Sequence, residues 1–280
     1  MDFQQVRKLT IRALVADGFL FQKLVLKGGN AIALVHQYGS RTSLDIDFSL
    51  EQDFEDIEEV RERIVRALKG GFASVGLVVF DEEFGPRPQD SRDQLWGGYQ
   101  QTFKLIEVDR YEALKDDSRT LRTSALATGP GQKRAFTIDF SKHEYCSGKV
   151  EREIDHSPIY VYTPEMIVIE KLRAICQQMP EYGFRKRSTA RARDFYDIHE
   201  LVSNAGVTLN SDESKELARR IFECKHVPLS LIGKIAEHRE FHRPDWPSVQ
   251  DSVRARVESF DFYFDFVAGF SLRLETLWNV

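Results

Sequence analysis

The run from residue 24 to residue 50, LVLKGGNAIALVHQYGSRTSLDIDFSL, leaves the chain few ways to fold. Three apolar residues end in Lys27-Gly28-Gly29. An apolar-periodic segment follows, with Ala31, Ile32, Leu34 and Val35. Then come Arg41-Thr42-Ser43 and the alternating string Leu44-Asp45-Ile46-Asp47-Phe48. The pattern predicts strand, glycine turn, helix, short loop and strand. Side chains two apart on a strand share a face. Asp45 and Asp47 are therefore expected to project together, while Leu44, Ile46 and Phe48 face the core. Two like charges on a rigid strand repel. A hard divalent cation such as Mg²⁺, which takes oxygen ligands and keeps sites for phosphate, removes the conflict. The glycines suit the other half of such a site, because a turn without Cβ atoms lets a phosphate reach backbone N–H groups at a helix N-terminus. Taken singly, a D-x-D is more often a solvated turn and a Gly-Gly pair an ordinary one. Their order here carries the weight.

The rest of the chain narrows the class. A length of 280 residues fits one or two domains, and 42% apolar with 30% charged residues fits a globular protein with a sizeable core. No run approaches the ~20 apolar residues of a membrane span, and the amphipathic N-terminus has no signal-peptide core. Cys146, Cys176 and Cys224 are scattered, which gives neither a zinc pattern nor a disulfide framework; reduced thiols and a cytoplasmic location are expected. A net charge of −5 argues against a surface coated for nucleic acid while leaving room for a local basic patch.

Helices are predicted over residues 2–16, with Asp2 as cap, and over 54–69. Strands are predicted over 72–84, 100–108 and 135–141, with a loop from Gly85 to Gly98 and irregular chain over 110–134 around Gly129-Pro130-Gly131. In the last strand Phe136, Ile138 and Phe140 face the core and Asp139 faces away. Beyond Thr163-Pro164 the pattern turns helical. Thr163 caps a helix with Pro164 at its first position and Glu165 in its first turn. Ile167, Lys171 and Ile175 share a face of it. Lys171 therefore either snorkels from the core edge or points into a cleft, while Glu170 and Arg173 are solvated or paired. A further helix spans 191–204. Asp194 lies at its inward edge, as a dipole-stabilised carboxylate paired with an arginine or as a functional group. Asp197, one turn on, is a helper or a polar neighbour.

The order G-G, helix, S-x-D-x-D resembles the nucleotidyltransferase superfamily with the DNA polymerase β-like fold. Pro164-Glu165, Glu170-Lys171-Leu172-x-Ala174 and Arg193-Asp194-Phe195-Tyr196-Asp197 then follow. The set resembles the AbiEii/AbiGii nucleotidyltransferase toxin family, which includes the MenT toxins, over residues 24–202. The resemblance implies an α+β protein, with a mixed sheet and helices in a catalytic domain (1–163) and a helical domain (164–280) that completes the nucleotide site. It implies Mg²⁺ on Asp45, Asp47 and a third carboxylate, Asp139, which alternatively takes the proton of the attacking hydroxyl. Lys27, Gly28, Gly29, Ser43 and Lys171 would bind the nucleotide, with Lys171 on the triphosphate and Asp194 orienting it. Gly29 departs from the superfamily, which often has Ser there; a hydroxyl contact is lost and the backbone cradle kept.

The implied reaction moves a nucleotidyl group from an NTP to an acceptor and releases pyrophosphate. The implied acceptor is RNA, at the 3′ end of tRNA, in a toxin of a toxin–antitoxin or phage-defence system with a cognate antitoxin. Arg185, Lys186, Arg187, Arg191 and Arg193 read equally as a solvated charge run or as an acceptor-binding loop, without the interleaved aromatics that stack bases. A small-molecule nucleotidyltransferase of the antibiotic-modifying kind and a non-catalytic interaction protein are the alternatives.

Overall fold

A computed structural model of the chain describes residues 1–39, 41–43, 45–88, 97–127, 133–184, 187–253 and 255–278, with only the backbone of Trp278. Leu44, the Gly129-Pro130-Gly131 cluster and the basic residues Arg185 and Lys186 lie outside the described residues. The chain divides into two compact units. The first comprises Met1–Leu26, Leu44–Cys146 and Glu151–Val161; the second comprises Lys27–Ser43, Ser147–Val150 and Tyr162–Val280. The glycine turn and the segment after it thus belong to the second unit.

The first unit is built on a seven-stranded mixed sheet. Its strands are β1 (Val25–Lys27), β2 (Ile46–Ser49), β3 (Leu77–Arg87), β4 (Gly98–Glu107), β5 (Phe136–Ser141), β6 (Val150–Ile154) and β7 (Ser157–Val161), in the order β3-β4-β5-β2-β1-β7-β6. The pairs β2/β5 and β1/β7 are parallel, and β4 runs antiparallel to both β3 and β5. Helix α1 (Phe3–Val15) opens with a capping box, the Asp2 side chain accepting from the Gln5 N–H and the Gln5 side chain accepting from the Asp2 N–H. The short α2 (Gly18–Lys23) leads into β1.

In the second unit, α3 (Gly28–Asn30) runs on as a π-helix over Ala31–His36 and stops at Gln37, whose φ of 59° is left-handed. Gly28, with φ of 67°, makes the turn that a side chain would strain.

Two expectations for the first unit need correction. Helix α4 (Ile57–Ala73) takes in residues assigned to a strand, because its buried stripe Val60, Ile64, Leu68, Phe72 continues at i+4 spacing. β3 therefore starts at Leu77, and it extends through Gly85 to Arg87, where it pairs with β4. α4 packs closely on α1; a Cβ on Gly71 would sit 2.5 Å from that of Ala13. The stretch read as irregular holds α5 (Val108–Leu114) and α6 (Ser118–Ser124), the latter capped by Asp117. Both pack on a small cluster of Phe80, Ile106, Leu121 and Ala125. Neither helix is long, so their stability comes from that packing and not from propensity.

Helix α7 (Pro164–Cys176) is central to the second unit. Thr163 Oγ1 accepts from the Met166 N–H, as the cap requires. The helix is buried on nearly every face, Lys171 and Arg173 included, and such a helix belongs inside a bundle. α8 (Ala192–Asn204) and α9 (Asp212–Glu223) pack against it, as does a 3₁₀ segment over Leu229–His238. α10 (Arg239–His242) and α11 (Trp246–Gln250) lead to α12 (Phe260–Arg273), which packs on α8.

Candidate active site

Two groups of charged residues are the candidates for the site, one in each unit. In the first unit β2 and β5 pair in parallel with Ile46 opposite Ile138, Asp47 opposite Asp139 and Phe48 opposite Phe140. The four apolar residues are buried, which turns Asp47 and Asp139 to the other face, both half-buried. Neighbouring strands lie about 4.8 Å apart, so the two carboxylates are immediate neighbours. Asp139 Oδ1 accepts from Gln100 Nε2 at 2.8 Å, on the antiparallel strand beyond it, and lies 3.6 Å from Arg87 Nη1.

Asp45 differs from the expectation. The strand begins at Ile46, and Asp45 sits exposed in the bend ahead of it. Among the described residues no group of three or more Asp, Glu, His or Cys side chains stands together as a metal site. The pair Asp47/Asp139 is nonetheless the donor set that a hard cation takes: adjacent carboxylate oxygens on a rigid sheet.

In the second unit a chain of buried ion pairs crosses three segments. Lys171 Nζ lies 2.9 Å from Asp194 Oδ1 and 2.8 Å from Asp197 Oδ2. Arg41 grips Asp197 through two bonds, Nε at 3.0 Å and Nη2 at 2.7 Å. Arg191 pairs with Asp194 from the other end. Burial by itself would push the Lys171 ammonium down, but the Asp194 and Asp197 carboxylates override it and hold it above the ordinary lysine value. Burial likewise works to raise Asp194 and Asp197. For Asp194 the cations Arg191 and Lys171, and for Asp197 the cations Arg41 and Lys171, hold the carboxyl below the usual range. Nearby, Glu170 pairs with Arg173 at 3.1 Å and lies 3.9 Å from Lys27 Nζ. The Lys171 side chain is 5% exposed, so it neither snorkels nor stands in open solvent.

The glycine turn belongs to the same unit. A Cβ on Gly29 would stand 2.8 Å from Ser43 Cβ, 2.9 Å from Arg41 Nη2 and 3.0 Å from Ser43 Oγ. The glycine is required because Arg41 and Ser43 close over it. That is a physical reason for the departure from Ser at this position.

Lys171 meets Asp194, Ser43 meets Gly29, and Asp47 meets Asp139. Of the basic stretch, Arg187 is exposed; Arg191 is drawn into the pair with Asp194, and Arg193 Nε donates to Ser248 Oγ at 3.2 Å. The sequence assigns Arg41 no role and leaves Asp197 as a helper or a polar neighbour. The available signals were their positions: Arg41 just ahead of Ser43 and the D-x-D, and Asp197 three residues beyond Asp194, on the same helix face.

The family description "Nucleotidyl transferase AbiEii toxin, Type IV TA system" matches residues 12–266. No curated protein matches the chain. Among solved structures, a protein from H. pylori assigned as a nucleotidyltransferase shares the fold at a TM-score of 0.51 and 15% identity, over 98% of this chain and 94% of that one. An antigenic nucleotidyltransferase-like protein from Paracoccidioides brasiliensis aligns over 91% of this chain and 94% of its own, at 13% identity and a TM-score of 0.40. No helix among the described residues is long and apolar enough to cross a membrane. With the match running through both units, from the first helix to the last long one, the chain belongs to the AbiEii nucleotidyltransferase toxins of type IV toxin–antitoxin systems and is a nucleotidyltransferase.

Proposed function

We propose that the protein is a Mg²⁺-dependent toxin that transfers NMP from an NTP to an RNA acceptor, the 3′ end of tRNA, in the cytoplasm, and that a cognate antitoxin restrains it. The observation that carries this reading is the in-register pair Asp47 and Asp139 on adjacent parallel strands, with Asp45 exposed just ahead of them. Asp45, Asp47 and Asp139 are the residues that would hold the cation, which supplies positive charge against the phosphates and the leaving group. Asp139 takes the proton of the attacking hydroxyl as the alternative to binding metal, with Gln100 fixing the carboxylate by its hydrogen bond to Oδ1. Lys27, Gly28, Gly29 and Ser43 hold the nucleotide. Lys171 supplies charge to the triphosphate, and Asp194 orients it.

The catalytic part is residues 1–163; the helical part from 164 onward completes the nucleotide site. Exposed Arg187 and its neighbours Arg185 and Lys186 contact the acceptor, and Arg191 and Arg193 brace the helix behind them.

The test is incubation of the purified protein with each labelled NTP, Mg²⁺ and total RNA, resolved on a gel, beside a panel of hydroxyl-bearing small molecules. Label in a tRNA-sized band, abolished by chelation and by Asp47→Asn, is expected. Label only in small molecules would replace the RNA acceptor, and transfer that persists in chelator would remove the metal.

A further inference from the structure

We propose that the outer face of β3, β4 and β5 beside Asp139 is the acceptor channel, and that Arg87 on its rim takes the terminal phosphodiester of a single-stranded RNA 3′ end. The inference rests on the reading above, in which Asp139 takes the proton of an RNA acceptor's attacking hydroxyl. Four observations carry it, all within the first unit.

The first is register. Asp47, Asp139, Gln100 and Gly85 are successive partners across β2, β5, β4 and β3, so they form one row on the sheet. Alternation puts Glu83 and Arg87 on the same face of β3, on either side of Gly85. Ile106 shares its face of β4 with Gln100, and α5 and α6 cover that far end of the face, over Phe80 and Ile106. The end at Asp139 is polar and half-exposed.

The second is the glycine. Gly85 lies inside an edge strand at an ordinary φ, and a Cβ there would meet no atom of the described residues within 4 Å. The irregular register of this strand falls earlier, between Phe80 and Glu83, so a bulge does not account for the glycine. A glycine inside a strand otherwise marks a place where a ligand or another backbone comes close. Here that place is next to Gln100 and two strands from Asp139.

The third is the cation. Arg87 Nη1 is 3.6 Å from Asp139 Oδ1, beyond hydrogen-bond length, and its side chain is 61% exposed. Lys104 and Arg122 are instead held by Asp81, both at 2.6 Å. An exposed guanidinium can turn two N–H groups to one phosphate. In a terminal nucleotide the attacking 3′ hydroxyl and the 5′ phosphate are separated by one ribose. A cation one side chain away from Asp139 is therefore placed for that phosphate. The fourth is direction. Glu83 is exposed on the other side of Gly85 and repels a phosphate, so the RNA backbone leaves past Arg87. A small hydroxyl-bearing acceptor without a phosphate would have no use for Arg87.

The test uses the full-length protein with total tRNA as the probe. NTP affinity is measured by titration calorimetry, tRNA affinity by fluorescence anisotropy at several salt concentrations, transfer by incorporation of label, and folding by thermal melting. Arg87→Ala should weaken tRNA binding and raise KM for tRNA about 10-fold, the loss of one charge-assisted contact at an exposed position. Its salt slope should fall by about one, with NTP affinity and Tm at wild-type values. Arg87→Lys should recover the salt slope, because it keeps the charge. Gly85→Val should melt at or above the wild type, since a β-branched residue suits a strand, and should still raise KM for tRNA by about 10-fold or more by filling the channel. Unchanged tRNA affinity in folded Arg87→Ala, or full transfer by Gly85→Val, would overturn the inference while wild-type transfer to tRNA stands. So would a fall in kcat for Arg87→Ala with KM for tRNA and the salt slope unchanged, which would confine Arg87 to acting on Asp139. A wild type that labels small molecules and not tRNA would overturn the RNA reading and this inference together.

Discussion

Lys171→Met keeps the length of the side chain and removes only its charge, which makes it a direct probe of the buried ion chain. Each of the two Lys171 contacts, at 2.8 and 2.9 Å, corresponds to about 6 kcal/mol of gross attraction at an effective dielectric of about 20. Desolvation of three charged groups offsets most of that. Removing the ammonium leaves Asp194 facing Arg191 and Asp197 facing Arg41, so neither carboxylate is stranded. The expected loss therefore lies near the lower end of the range for breaking a buried pair, about 3 kcal/mol. In a chain of this size that is a fall of roughly 6–12 °C in Tm. Urea unfolding should show a lower midpoint with an unchanged slope, which separates lost stability from a changed unfolded state. Lys171→Met combined with Asp194→Asn should lose less than the two singles added together, because both act on one contact. A Lys171→Met protein as stable as the wild type, or more so, would refute the reasoning. Loss of activity in this variant is informative about catalysis only below its own melting transition.

Asp45 is exposed and precedes its strand, so Asp45→Ala should melt with the wild type while abolishing transfer and relieving the growth arrest expected on expression; a toxic, folded Asp45→Ala protein would contradict the enzymatic account. The His242 Nδ1 accepts from the Arg191 N–H at 3.1 Å, and burial pushes its pKa down from 6.5 to about 4. Below pH 6.5 the unfolded chain takes up a proton that the folded chain refuses, so stability should fall as pH drops from 6.5 towards 4, by up to about 3 kcal/mol. His242→Gln should flatten that part of the acid limb in a pH series of urea titrations. Gly28→Ala, at a φ of 67°, should destabilise by about 1 kcal/mol through backbone strain alone, read as a lower urea midpoint. Arg187→Ala should weaken RNA binding and reduce its salt slope by about one without lowering Tm, whereas Arg191→Ala should lower Tm because it removes one of the two cations that face the buried Asp194.

Local spacing alone determined much of this protein. The glycine turn, the caps of α1 and α7, the helices around Lys171 and Asp194, and the outward faces of Asp47 and Asp139 all follow from residues within one or two turns of each other. Order along the chain was enough to carry the family resemblance. Tertiary structure decided what those patterns leave open. The two-residue period says which face Asp139 takes but not which strand lies beside it; the parallel register with β2 does that. Residues 110–124 carry too weak a stripe to announce α5 and α6, which exist because Phe80 and Ile106 offer them a surface. Asp45 lost its place on the strand because pairing begins one residue later. The ion chain was the least legible feature. Arg41 and Asp197 are separated by 156 positions, and no periodicity relates them. A lysine on an apolar stripe looks the same in sequence whether it reaches water or two buried carboxylates, and only the packing of α8 against α7 distinguishes the two.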